Sequence, residues 1–311
     1  MQRFHIAECV THTSLNVALA EAFRDIRHLI REDVCIASFF GSPNLKWNGG
    51  RIMYRPYDPA RTKHFIKMYN SYGIPYRFTW TNPCLTEKDL EDYDCNDLLD
   101  FADNGMNECI VYSPLLEEHI RKNHPDMKLT SSTCKCITDM ADVKAELAHP
   151  YSLVVLDYNF NNKYDVLEQL TPEERKRCEL LVNPVCVPGC KRRAAHYKFI
   201  GEQQRQFKEY MQRIMRLPPE ERAKQQLQEW DCPYRNADIF NGDFPLWITP
   251  DLIHEKYVPM GFENYKIEGR SANMALLNEM FTRYLAAEGR EDEFRYKVMY
   301  HALDNIHLNM L

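Results

Sequence analysis

A short apolar run followed by an amphipathic stretch recurs along this chain, and that alternation does more than any other feature to limit the folds open to it. Candidate strands are residues 34–40, 75–80, 108–112, 128–133, 152–158, 179–182, 246–249 and 264–268. Between and after them lie helical patterns at 62–71, 87–101, 115–123, 139–147, 207–215 and 272–287. Eight β/α alternations within about 250 residues are the arithmetic of a (β/α)8 TIM-like barrel. Residues 1–33, with a short strand at 4–9 and a helix around 15–30, read as an N-terminal cap on that barrel. The connection after the sixth strand, 183–244, is a long helical insertion with a charged helical pair broken at Pro218 and Pro219. Connections of that length carry function or are disordered.

No internal repeat, low-complexity tract or Gly/Ser-rich or Pro-rich linker divides residues 1–311, so they read as one domain. Lys and Arg number 39 against 45 Asp and Glu, and the net charge of −6 gives no global attraction to phosphate backbones. RNA is therefore disfavoured as a partner. With 44% hydrophobic and 27% charged residues the chain is globular and not membrane-spanning. MQRFHIAECVTHTSL has no basic segment leading into an apolar one, which places the expected compartment in the cytoplasm. There the 11 cysteines stay reduced, and an odd count resists a full disulfide framework. Thiol packing, metal ligation and catalysis are the roles left to them.

Cys186 and Cys190 lie in LVNPVCVPGCKRRAAHY, just past the C-terminal end of the sixth strand, where barrel enzymes place their chemistry. Cys232 follows in WDCPYR at the end of the same connection. Three thiolates gathered there would suit an iron–sulfur cluster, or with His196 a tetrahedral zinc, and the plain alternative is three packed thiols. Cys84, Cys134 and Cys136 sit beyond other strand ends and are further candidate ligands, whereas Cys35, Cys95 and Cys109 suit packing.

The strand at 264–268 alternates, so Tyr265 and Ile267 face the helices while Lys266 and Glu268 point into the barrel. Charged groups there must pair or bind a polar ligand. Arg77, Thr79 and Thr81 share one side of the second strand, and Asp157 and Asn159 share a side of the fifth. On a helix beginning near Cys190, Arg193 and Tyr197 lie on one face with His196 beside them. The loop GSPNLKWNGGR brings Ser42, Asn44, Trp47 and Arg51 to the same end. The phosphate-binding, dinucleotide-binding, serine-hydrolase and zincin motifs are all absent.

GFENYKIEGR (261–270), LVNPVCVPGCKRRAAHY (181–197) and YGIPYRFTWTN in the second strand together resemble the peptidase U32 family over about residues 34–287. The resemblance implies a TIM-like barrel and, from family members of that kind, a [4Fe-4S] cluster used in oxygen-independent hydroxylation. Cys186, Cys190 and Cys232 would then be cluster ligands, with Cys136, another thiol or an exogenous group as the fourth. Lys266, Arg270, Asp157, Arg193 and Asn183 would position a small-molecule or protein-borne substrate. Glu268 and His196 suit proton transfer by side-chain type and place. A paralogous barrel subunit is the partner the family suggests. Two other readings stay open: a U32-type peptidase, and a non-catalytic binding barrel stabilised by zinc on Cys186, Cys190, Cys232 and His196.

Overall fold

The computed structural model describes the chain apart from residues 54, 233–243, 270–272 and 310–311. Its centre is a closed barrel of parallel strands running in sequence order: β1 (Gln2–Ile6), β2 (Val34–Phe40), β3 (Tyr76–Trp80), β4 (Glu108–Val111), β5 (Lys128–Ser131), β6 (Leu153–Val155), β7 (Cys178–Leu181) and β8 (Asn264–Ile267). Around it run α1 (Thr13–Asp25), α2 (Pro59–Ser71), α3 (Tyr93–Ala102), α4 (Pro114–Asn123), α5 (Met140–Ala148), and the short α6 (Tyr164–Leu167) and α7 (Pro172–Lys176). The β7–β8 connection carries α8 (Arg193–Met215), α9 (Pro219–Arg222), α10 (Pro250–Leu252) and α11 (Val258–Met260). After β8 come α12 (Met274–Leu285) and α13 (Glu291–Asp304).

The period of two decides what each strand sends inward. In β3, Tyr76, Phe78 and Trp80 stack along the outer face with centroids 4.7 and 4.4 Å apart, and Trp47 meets Trp80 edge-on at 4.9 Å. Arg77, fully buried, goes the other way, into the barrel. In β8, Tyr265 and Ile267 pack outward, Tyr265 against Phe4 at 5.6 Å, while Lys266 turns in. Helix starts follow from short polar caps: the carboxylates of Asp58, Asp92 and Asp139 accept from the first-turn amides of α2, α3 and α5. Among the described residues no helix is long and apolar enough to cross a membrane.

Two expectations are corrected. Residues 1–33 are not a cap: Gln2–Ile6 pairs with β2 on one side and β8 on the other, so β1 and α1 form the first β/α unit. FHI carries the inward/outward alternation of a barrel strand, with Phe4 and Ile6 packed outward and His5 inside. Conversely, 246–249 is not a barrel strand. Its run ends where Thr249 caps α10 and Pro250 takes the first helical position, and its link to β7's side is the Ile248 amide, which donates to the Val182 carbonyl at 2.8 Å. The strand expected sixth is thus the seventh of the barrel, and the helical insertion follows it.

Candidate functional site at the barrel mouth

The inner floor is a charged network. Glu179 of β7, fully buried, accepts from Arg77 at 2.6 Å and lies 3.2 Å from the Lys266 ammonium and 3.4 Å from His5 Nε2. Arg77 also meets Glu108 at 3.1 Å and donates to the Thr130 hydroxyl at 2.9 Å. His5 Nδ1 is 2.7 Å from the Ser38 hydroxyl. Burial opposes every charge here, but for Glu179 the cations around it win, holding the carboxyl far below the ordinary range. His5 goes the other way: burial lowers it to about 3, so it is neutral.

Above this floor, at the C-terminal ends of the strands, opens a cavity of about 580 Å³. Lys266, 7% exposed, is where floor and cavity meet. Its ammonium sits 4.1 Å from the centre of the Phe40 ring, and Ala7, Ile110 and Leu181 make the surrounding wall apolar. Burial lowers the Lys266 pKa, against the attraction of Glu179. Tyr158, buried, also lines the cavity, with its hydroxyl near the Cys186 thiol.

Two carboxyl groups guard one side of the mouth. Glu268 follows β8 and Glu8 follows β1, and the pairing of Ile6 with Ile267 brings the two strand ends together. Glu8 holds a left-handed backbone, φ 64°, which a non-glycine residue adopts at a cost and which recurs at functional sites. Burial raises its carboxyl pKa above the ordinary 4.5, with Thr11 and Arg51 opposing. Gly269 makes room for it: a Cβ there would fall 2.3 Å from Glu8 Cγ. Asn183 fixes Glu268 from behind, accepting from its amide at 2.7 Å and donating to its carbonyl at 3.0 Å.

The residues singled out from sequence divide into three groups. Lys266, Glu268 and His196 line the cavity, and Asn183 braces Glu268. Asp157 and Arg193 form a buried bidentate pair, with Arg193 Nε donating to Cys136 Sγ at 3.1 Å and its guanidinium 4.5 Å over the Tyr158 ring. That pair pins the first turn of α8 to the end of β6 and holds Tyr158. Arg270 lies outside the described residues. Glu8 and Glu179 escaped notice: Glu8 because its segment read as a cap, Glu179 because it is submerged in the run CELLV. The alternation of FHI in β1, with an acid just past its end, is the signal that marks Glu8.

Cys186, Cys190 and Cys232 are each partly buried. The segment before Cys232 does return to the start of α8: Trp230 stacks on His196 at 5.2 Å, and Asp231 lies 3.9 Å from Arg192. Three soft thiols suit iron–sulfur or zinc chemically, yet among the described residues no three Cys, His, Asp or Glu side chains gather closely enough to hold a metal ion.

No family model and no curated protein matches the sequence. Among solved structures, the chain is similar to the U32 peptidase Mk0906, with a TM-score of 0.50 and 12% identity over 86% of this chain and 92% of that one. At that identity the likeness is one of architecture, and it agrees with the closed eight-stranded barrel: this chain has the fold of a U32 peptidase.

Proposed function

We propose that the protein is an enzyme that binds a small organic molecule in the mouth cavity and moves protons to and from it with Glu8 and Glu268. The observation that carries this reading is Glu8 itself: a strained backbone and a half-buried carboxyl of raised pKa, set beside a second carboxyl over a cavity. Burial tunes an acid toward neutral pH, where it gives and takes protons most effectively. Lys266 presents a donor to the bound molecule from below, Tyr158 forms part of the wall, and Arg51 and His196 close the rim. The chemistry suits a proton-transfer or hydrolytic reaction, and because the structural neighbour is named a peptidase the test includes peptides beside small molecules.

The test is an untargeted turnover assay. Purified protein is incubated with a small-molecule cell extract and a peptide mixture, and consumed species are identified by mass spectrometry. Species consumed by the wild type should persist with Glu8→Gln and with Glu268→Gln. Full turnover by both variants overturns the assignment.

A second reading, an iron–sulfur protein of the oxygen-independent hydroxylation type, is favoured by the return of Trp230 and Asp231 to the start of α8 beside Cys190. Iron, acid-labile sulfide and zinc content of anaerobically prepared protein test it. Stoichiometric iron and sulfide lost in Cys186→Ser, Cys190→Ser and Cys232→Ser supports it, zinc lost in His196→Ala supports a zinc site, and neither metal overturns both.

A further inference from the structure

We infer that Lys266 is a covalent anchor whose amine condenses with the carbonyl group of a small aldehyde or ketone held in the mouth cavity. The inference rests on the reading of that cavity as the reaction site and names the substrate class.

Lys266 lies at the C-terminal end of a barrel strand, almost fully buried, with its nitrogen against the Phe40 ring and toward the cavity. An amine in an apolar wall reaches its uncharged, nucleophilic form more readily than one in water. Its companion carboxylate is shared: Glu179 gives its shortest contact to Arg77, at 2.6 Å, and also meets His5. Glu179 balances the ammonium without sequestering it.

Inside the barrel Arg77 and Lys266 face Glu179 and Glu108, while His5 is neutral, so two positive charges meet two negative ones. A substrate carboxylate placed against Lys266 would leave an unbalanced anion in a low-dielectric site. A neutral carbonyl adds none. The condensation preserves the balance, because the protonated imine carries its positive charge where the ammonium carried it.

In the step, the aldehyde or ketone and the Lys266 ammonium give the iminium and one water. The ammonium first releases a proton to the carboxylate of Glu268, and the nitrogen lone pair then forms the C–N bond as the carbonyl π pair moves to oxygen, which takes up a proton from that nitrogen. A second proton, delivered by the carboxyl of Glu8 or Glu268, lets that oxygen leave as water, and the nitrogen lone pair closes the C=N bond. The groups facing Lys266 through this change are Glu179 from β7, Arg77 from β3 and Cys134 after β5. The iminium then accepts electrons from a bond on the neighbouring carbon, which is the chemistry such an anchor serves.

Acetaldehyde with sodium cyanoborohydride reads the amine directly, since it is small enough to enter and leaves a stable ethyl group. Full-length protein is labelled at pH 7, digested, and the label on each lysine followed over time by mass spectrometry. Lys266 should label at least tenfold faster than the exposed Lys144 and Lys198, and Lys266→Arg, which keeps the charge, should lose only that label. Labelling of Lys266 no faster than the exposed lysines, in protein whose thermal unfolding shows it folded, overturns the inference. The acid pair is judged separately. If Glu8→Gln and Glu268→Gln label Lys266 as fast as wild type and also turn over substrate, the proton-transfer reading falls and the amine site stands. If turnover depends on both acids but Lys266 stays unlabelled, the reverse holds.

Discussion

Inside the strands, Glu179 is surrounded by Arg77, Lys266 and His5, and every charge has an opposite within 3.4 Å. A few ångströms higher, at the rim, Glu8 is held in a left-handed backbone with a carboxyl that burial drives toward the neutral form. The same barrel takes acid side chains out of water in both places, fully at Glu179 and partly at Glu8, yet the floor stabilises the carboxylate and the rim the carboxylic acid. The difference comes from partners rather than depth. At the floor the cations outweigh desolvation, and at the rim they do not. A charge-balanced network fixes strands in place, while an acid that burial keeps in its protonated form has a proton to give.

The contrast breaks most visibly at its centre. Glu179→Ala strands Arg77 and Lys266 in the interior, and denaturant unfolding should show a loss of about 3–5 kcal/mol. An apolar pair, Glu179→Leu with Arg77→Met, should recover much of it, because what costs stability is the unpaired charge. Acid should have a milder effect of the same sign. Glu179 is depressed below its ordinary 4.5 and His5 below 6.5, so their contribution is full above those values and falls as pH is lowered through them. Urea midpoints between pH 7 and pH 4 should therefore decline more steeply for wild type than for Glu179→Gln.

At the rim, Gly269→Ala forces a methyl to within 2.3 Å of Glu8 Cγ and 3.0 Å of the Ala7 side chain. A cost of about 1–3 kcal/mol is expected, with loss of turnover from displacement of Glu8. Glu8→Gln should do the opposite to stability. The wild-type pKa is raised above 4.5, so burial of Glu8 is tolerated below that value and weighs against folding as pH climbs through the folded-state pKa. The variant should be more stable than wild type by on the order of 1 kcal/mol at pH 8 and equal to it at pH 4, as read from thermal unfolding at the two pH values. The smallest effect belongs to Arg193→Lys, which keeps the charge but loses the planar two-point contact with Asp157. A drop under about 1 kcal/mol is expected, together with slower alkylation of Cys136, whose thiolate loses the guanidinium that favours it.

Most of the barrel was legible because alternation is a local signal. Seven of the expected strands are barrel strands, and β3 and β8 send Arg77 and Lys266 inward as their period of two requires. The error at both ends of the count has one cause: strand identity in a closed sheet depends on which neighbours it pairs with, and no local pattern states that. Residues 4–9 looked like strand but had no visible partner, and 246–249 looked like strand although proline follows directly. The site was legible where side chains sit on strands, as with Lys266, and on their immediate extensions, as with Glu268. It was illegible where a loop decides. The left-handed turn at Glu8, the bracing of Glu268 by Asn183 and the return of Trp230 to His196 are tertiary facts.

The pairing of β1 with β8 has a consequence for how the protein comes into being. Glu8 leaves the ribosome well before Glu268, which emerges only after seven more strands have been made, so the acid pair cannot exist on a nascent or truncated barrel. Closure of the last seam is what assembles the two carboxyl groups over the cavity.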